Sequence, residues 1–136
     1  MDSYAASVAK TEQPTSHITV EPFDGVVTVT FSDAIIASSQ EALLLREGDY
    51  DPVFYIPFKD IYFDFLRRSD TTTQCPHKGV AAHWSVTAIG EAMDDVMWAY
   101  EQPHEGVSAI SGHGAFYPKK VRIEAVSNQT DKSIDL

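Results

Sequence analysis

No stretch of this chain keeps a 3.6-residue apolar period beyond about three turns. What recurs instead is short β-prone runs cut by turn residues. The clearest is Val26–Phe31, where Val27, Val29 and Phe31 alternate with Thr28 and Thr30, the two-residue period of a strand with one buried face. Asp24-Gly25 precedes it and reads as a hairpin pair joining it to Ile18–Glu21, because glycine accepts the positive φ of a tight turn. Ser32-Asp33 turns the chain into Ala34–Ser38. Leu43–Glu47, stopped by Gly48, and Val53–Ile56, set off by Asp51-Pro52, come next. This spacing predicts a meander of antiparallel strands.

Past Pro57 the texture changes. Asp60 is placed to cap a short helix over Ile61–Arg67, with Ile61, Phe65 and Leu66 on one face. Gly79–Thr87, Val96–Tyr100 and Val121–Val126 read as later strands. Val107–Phe116 stays open between helix and strand, since Gly106, Gly112 and Gly114 weaken both. The predicted fold is therefore mainly β: a single compact antiparallel β domain with curved, tent- or barrel-like sheets and one or two short helices. At 136 residues and 43% hydrophobic content, one core can form without disulfide or metal. Polar residues 1–16 read as a flexible N-terminal segment, residues 17–126 as the β-rich domain, and residues 127–136 as a flexible C-terminal tail.

Ten basic residues against twenty acidic ones give a formal charge of -10, with the acids spread from Asp2 to Asp135. That field repels phosphate backbones and anionic lipid, so neither nucleic acid nor a membrane surface is an expected partner. A small polar or anionic ligand, met in a local pocket, is the partner that remains; oligomeric state is not readable. The single cysteine, Cys75, rules out an internal disulfide and points to the reducing cytoplasm. Met1–Ser16 has no apolar run and no basic lead-in, which predicts neither a signal peptide nor a membrane span.

Several chemistries have no carrier here. There is no glycine-rich phosphate loop ending in Lys-Ser or Lys-Thr, no dinucleotide fingerprint and no Gly-x-Ser-x-Gly elbow. The adjacent acids Asp94 and Asp95 would point to opposite faces of a strand. Of the five histidines, only His77 has another ligand type close by, in Cys75-Pro76-His77, and no second pair stands at a zinc-like interval. No metal and no cofactor is assigned.

The segment Ser69–Gly79 stands apart. It gathers hydroxyls, one thiol, one imidazole and one ammonium, then runs into an apolar stretch holding Trp84. Read as a loop from Ser69 to Trp84, it is the candidate site. Cys75 would be a nucleophile if Lys78 or His77 favoured its thiolate; the competing reading is a small buried hydrophobe at a strand end. Lys78 with Thr73 would hold an anionic group, against the alternative of a solvated turn lysine. Tyr55 and Trp84 would stack on or cover the ligand, and Tyr117 would add a wall. Asp60 would orient the lysine or cap the helix, capping being favoured. Trp98 and Phe116 are assigned to the core; Trp84 and Tyr117 divide evenly between core and cleft.

The runs Tyr55-Ile-Pro-x-x-Asp60, Cys75-Pro-His-Lys-Gly79, Trp98-x-Tyr100-x-x-Pro103 and Ala115-Phe-Tyr117 resemble, in this order, the domain of unknown function 427 family. The likeness covers Ile18 to Ile123. It implies a small single domain dominated by β-strands, found in bacterial and fungal proteins, with no settled activity. The family's alternative label, nucleotidyltransferase-like, implies chemistry that needs acidic residues holding magnesium beside a triphosphate. No Gly-Ser opening followed by paired aspartates is present, so that activity is not assigned. Three readings follow: a binding module for a small polar or anionic ligand, a cysteine-dependent enzyme or transferase, and a protein-interaction or structural domain without a small-molecule site.

Overall fold

The computed structural model describes residues 17–128. Of the expected flexible segments 1–16 and 127–136, residues 1–16 and 129–136 lie outside the described residues. Ser127 and Asn128, expected to open the tail, belong to the fold. Ser127 ends the last strand opposite Gly25, and the Asn128 amide donates to the Asp24 carbonyl at 3.0 Å.

Ten strands form: β1 Ile18–Pro22, β2 Gly25–Phe31, β3 Ala34–Ser39, β4 Leu43–Glu47, β5 Val53–Pro57, β6 Leu66–Cys75, β7 Gly79–Ala88, β8 Glu91–Tyr100, β9 His113–Phe116 and β10 Arg122–Ser127. They build two antiparallel sheets, ordered β1-β4-β5-β9-β8-β7-β6 and β10-β2-β3. The mainly-β, antiparallel expectation holds. The two sheets stay open.

The Asp24-Gly25 hairpin is not formed. β1 pairs with β4, Ile18 opposite Glu47 and Pro22 opposite Leu43, while β2 lies between β3 and β10 in the other sheet. Gly25 is needed for close approach instead. A Cβ there would overlap the Val126 carbonyl oxygen and come within 2.7 Å of Phe23 Cε2. Ser32-Asp33 does make the predicted turn, joining β2 to β3 with φ of 48° and 70°, the mirror-image geometry that matches strand twist.

The helix expected over Ile61–Arg67 is absent. Two short 3-10 turns, Phe58–Asp60 and Phe63–Phe65, occupy the region, and β6 starts at Leu66. Extended pairing wins locally: Ile61 bridges Ala37, and the Tyr62 amide donates to the Ile36 carbonyl at 2.9 Å. Phe58, Phe63, Phe65 and Leu66 all pack onto the core from this irregular path. Asp60 caps no helix; its carboxylate accepts from the buried Ser39 hydroxyl at 2.6 Å and so ties β3 to the β5–β6 connection. The ambiguous stretch Val107–Phe116 divides into a 3-10 segment, Glu105–Ile110, and strand β9, parted by Gly112 at φ +76°.

Side-chain alternation gives the seven-stranded sheet two distinct faces. Ile56, Ala82, Trp84, Met97, Ala99 and Phe116 face one way and join Val27, Val29, Phe31 and Ile36 of the small sheet in one core. Leu45, Tyr55, Ala81, Tyr100 and Ala115 face the other way, where Val107 and Ile110 pack over them together with Ile18. Neighbouring strands agree on this parity: Ala81 stands opposite Tyr100, His83 opposite Trp98, and Trp98 opposite Ala115. The second face is only partly covered.

Candidate functional site

The uncovered part of that second face is a cavity of about 630 Å³. Leu45 and Glu47 of β4, Val53 and Tyr55 of β5, Thr73 and Cys75 of β6, Trp98 and Tyr100 of β8, and Tyr117 all line it. The residues come from both ends of the sheet order, two apart within each strand, as same-face positions must be. The expected loop from Ser69 to Trp84 is therefore mostly strand: Leu66–Cys75 and Gly79–Ala88 pair with each other, leaving only Pro76-His77-Lys78 as the turn. Threonines are good strand formers, and here that ordinary property decides the local structure.

The turn is tightly defined. The Lys78 amide donates to the Cys75 carbonyl at 3.3 Å, and the Lys78 carbonyl accepts from the His104 amide at 3.0 Å. Gly79 follows at φ +119°, a conformation that side chains rarely adopt, against the His104 ring. This path folds the Lys78 side chain back over the sheet, leaving it 12% exposed. It is not a solvated turn lysine. Its ammonium donates to Glu47 Oε1 at 2.7 Å and contacts Cys75 Sγ at 3.6 Å. His77 Nδ1 lies 2.9 Å from the other Glu47 oxygen. Burial pushes the Glu47 carboxyl up, but hydrogen bonds and charge from Lys78 and His77 outweigh it and hold Glu47 below the ordinary carboxylate value.

The aromatic wall is equally ordered. Trp98 Nε1 donates to Tyr55 Oη at 3.3 Å, the two rings meet edge to face at 6.3 Å, and Trp98 packs on Tyr117 at 4.4 Å. Behind it, fully buried His83 places Nε2 3.0 Å from Tyr117 Oη. Burial raises the Tyr55 and Tyr100 hydroxyls well above the usual phenol value and raises Tyr117 as well, so all three enter the cavity as neutral hydroxyls at physiological pH. The site thus offers flat apolar walls, neutral hydroxyls and one internally balanced ion pair. Among the described residues no group of three or more His, Cys, Asp or Glu is arranged to hold a metal ion.

A family model described as a domain of unknown function, DUF427, matches residues 19–127. The chain belongs to that family. The DUF427 match runs from the second residue of β1 to the last of β10, so it spans both sheets and the whole cavity. No curated protein matches the chain. The stretches that carry the family resemblance each send residues to this cavity: Tyr55, then Cys75 and Lys78, then Trp98 and Tyr100, then Tyr117.

Within this DUF427 fold, five of the sequence-predicted site residues come together: Tyr55, Thr73, Cys75, Lys78 and Tyr117. Trp84 and Asp60 do not join them. Trp84 faces the inter-sheet core beside Phe58 and Phe63, with the Arg68 guanidinium 5.5 Å from its ring centroid. Asp60 is held on the far side by Ser39 and Lys59. Trp98, assigned to the core, lines the cavity, while Phe116 is core as expected. Tyr100, part of the Trp98-x-Tyr100-x-x-Pro103 run, also lines the cavity, whereas Glu47 and Tyr50 were not singled out. Glu47 was detectable in principle, because Leu43, Leu45 and Glu47 share one face of β4, where a carboxylate interrupts an apolar series. None of the described helices is long and apolar enough to cross a membrane.

Proposed function

We propose that this DUF427 domain binds a small flat ligand in the cavity, with the ligand's polar head at Lys78 and its body against Trp98, Tyr100 and Tyr117. The observation that carries this reading is the state of Lys78. Its ammonium is almost out of solvent, uses one N–H on Glu47 and one on Cys75, and has a third with no partner among the described residues. A buried ammonium with an unspent donor at a cavity wall is suited to an incoming acceptor. Because Glu47 already offsets its charge, an uncharged acceptor such as an amide carbonyl fits better than a carboxylate or phosphate, which would arrive beside an existing anion. This narrows the polar-or-anionic expectation to its polar half.

The test is a thermal-shift titration with benzamide and nicotinamide as flat amide probes. Binding raises the midpoint by an amount that follows RT ln(1 + [L]/Kd), and Lys78→Ala should abolish the rise. A variant that keeps the full shift makes the lysine a bystander.

A second reading has one observation behind it. Cys75 Sγ is half-buried in the cavity wall, 3.6 Å from the Lys78 ammonium, where covalent chemistry on a bound substrate is sterically accessible. Alkylation by iodoacetamide at neutral pH, slowed by a bound amide, supports a thiol-dependent enzyme. A thiol inert until the protein is denatured removes that reading.

A further inference from the structure

In the Tyr117–His83 pair a buried imidazole decides what a cavity hydroxyl can do. His83 is 2% exposed and stacks on Tyr117 at 6.1 Å with 18° between the rings. Its Nε2 lies 3.0 Å from Tyr117 Oη, while its Nδ1 is buried with no hydrogen-bond partner among the described residues. A neutral imidazole has one N–H and one bare nitrogen, so two arrangements exist. With the proton on Nδ1, a buried donor has no acceptor and Tyr117 must donate to Nε2. With the proton on Nε2, His83 donates to Tyr117 Oη and only a lone pair goes unmatched. An orphaned buried N–H is the rarer of the two defects in folded proteins.

We infer that His83 is held as the Nε2–H tautomer and thereby presents Tyr117 to the cavity as a hydrogen-bond donor, so that the ligand must carry a second acceptor besides the one that meets Lys78. Tyr117 Oη accepts from His83, and its own proton has no other acceptor among the described residues. The ring cannot swing away to find one. Trp98 packs on it at 4.4 Å, the Lys120 ammonium stands 5.3 Å from its centroid, and the Tyr117 amide is tied to the Val96 carbonyl at 2.9 Å. Lys120 is itself anchored on the Asp94 and Asp95 carbonyls at 3.0 and 3.1 Å. Lys78 and Tyr117 are thus two of the cavity's donors, beside the Tyr55 and Tyr100 hydroxyls, and the fixed position of Tyr117 favours a flat molecule with two acceptors over one with a single acceptor. His83 acts as a positioning residue through Tyr117, and does not itself line the cavity. The ligand requirement rests on the cavity binding a flat amide; the tautomer stands without it.

Long-range proton–nitrogen NMR on the ¹⁵N-labelled wild-type protein decides the tautomer. The expected result is a protonated, pyrrole-like Nε2 and a bare, pyridine-like Nδ1 for His83; a protonated Nδ1 overturns the inference whatever the cavity binds. The ligand requirement is read by comparing benzamide with nicotinamide and isonicotinamide, which keep its shape and add a ring acceptor at two positions. One of the pyridine amides should bind wild type roughly two- to tenfold more tightly than benzamide, the worth of one hydrogen bond, and lose that advantage in Tyr117→Phe. An advantage that survives in Tyr117→Phe, or equal binding of all three amides to wild type, overturns the donor role of Tyr117. If no amide binds while Nε2 is protonated, the cavity reading and the two-acceptor requirement fall and the tautomer remains.

Discussion

Lys78 Nζ stands 2.7 Å from Glu47 Oε1 across 31 residues of sequence, with the two side chains only 12% and 15% exposed. The pair joins the β6–β7 turn to the end of β4, closing one side of the cavity between strands that are far apart in the sheet order. A contact this shielded is not screened as a surface pair is, so it is coupled to the fold as well as to the site.

A double-mutant cycle with Glu47→Gln and Lys78→Met is expected to give a coupling of about 1–3 kcal/mol, in the range for a hydrogen bond to a charged group. The exposed Lys59–Glu41 pair has a similar separation of 2.8 Å and should show no resolvable coupling, because solvent and salt compete for it. Chemical denaturation of the four proteins in each cycle measures both.

Acid should reveal the same pair. The folded Glu47 carboxyl sits below its ordinary value of 4.5, so its stabilisation is complete above that pH and is lost as pH falls through the lower folded value. Wild-type stability should therefore decline more steeply below pH 4.5 than that of Glu47→Gln. Parallel slopes for the two proteins in that window would contradict the assignment.

Tyr50 is 77% exposed at the cavity mouth, an unusual position for a large aromatic ring unless it meets something. Tyr50→Ala is expected to leave stability within about 0.5 kcal/mol while weakening the binding of benzamide or nicotinamide. Denaturation and titration of one preparation separate the two effects.

Gly25→Ala should be among the costlier single changes, at about 1–3 kcal/mol, since the new Cβ meets the rigid Val126 carbonyl. Gly114→Ala meets Met97 Sδ at 2.7 Å and Ile61 Cδ1 at 3.1 Å, both on side chains that can shift, and should cost less. Thermal unfolding ranks them.

The elements legible in the sequence were those set by local chemistry. The Val27, Val29, Phe31 alternation and the Ser32-Asp33 turn depend on neighbours in the chain, and both were readable. Asp24-Gly25 misled because turn residues mark a bend but do not choose a partner. β1 found β4, more than twenty residues away, where Phe23 packs edge to face on Phe54 at 5.0 Å. Trp98 was assigned to the core and Trp84 left divided between core and cleft for a related reason. On β7 Ala81, Ala82, His83 and Trp84 are all buried, so that strand shows no polar alternation from which to tell core from cavity. Only cross-strand register separates them, setting Trp84 against Met97 in the core and His83 against Trp98 beneath the cavity. Glu47 was missed because its meaning is non-local. Its partners His77 and Lys78 lie some thirty residues further on.

The Lys78 face of the large sheet is the proposed ligand site. The two tryptophans report on it directly, since Trp98 lines the cavity with its indole N–H on Tyr55 and Trp84 is sealed between the sheets. In a proton–nitrogen correlation spectrum titrated with nicotinamide, the Trp98 indole peak should move and saturate while the Trp84 indole peak stays in place. A Trp98 peak that never moves, or shifts confined to residues outside the cavity, would contradict the account.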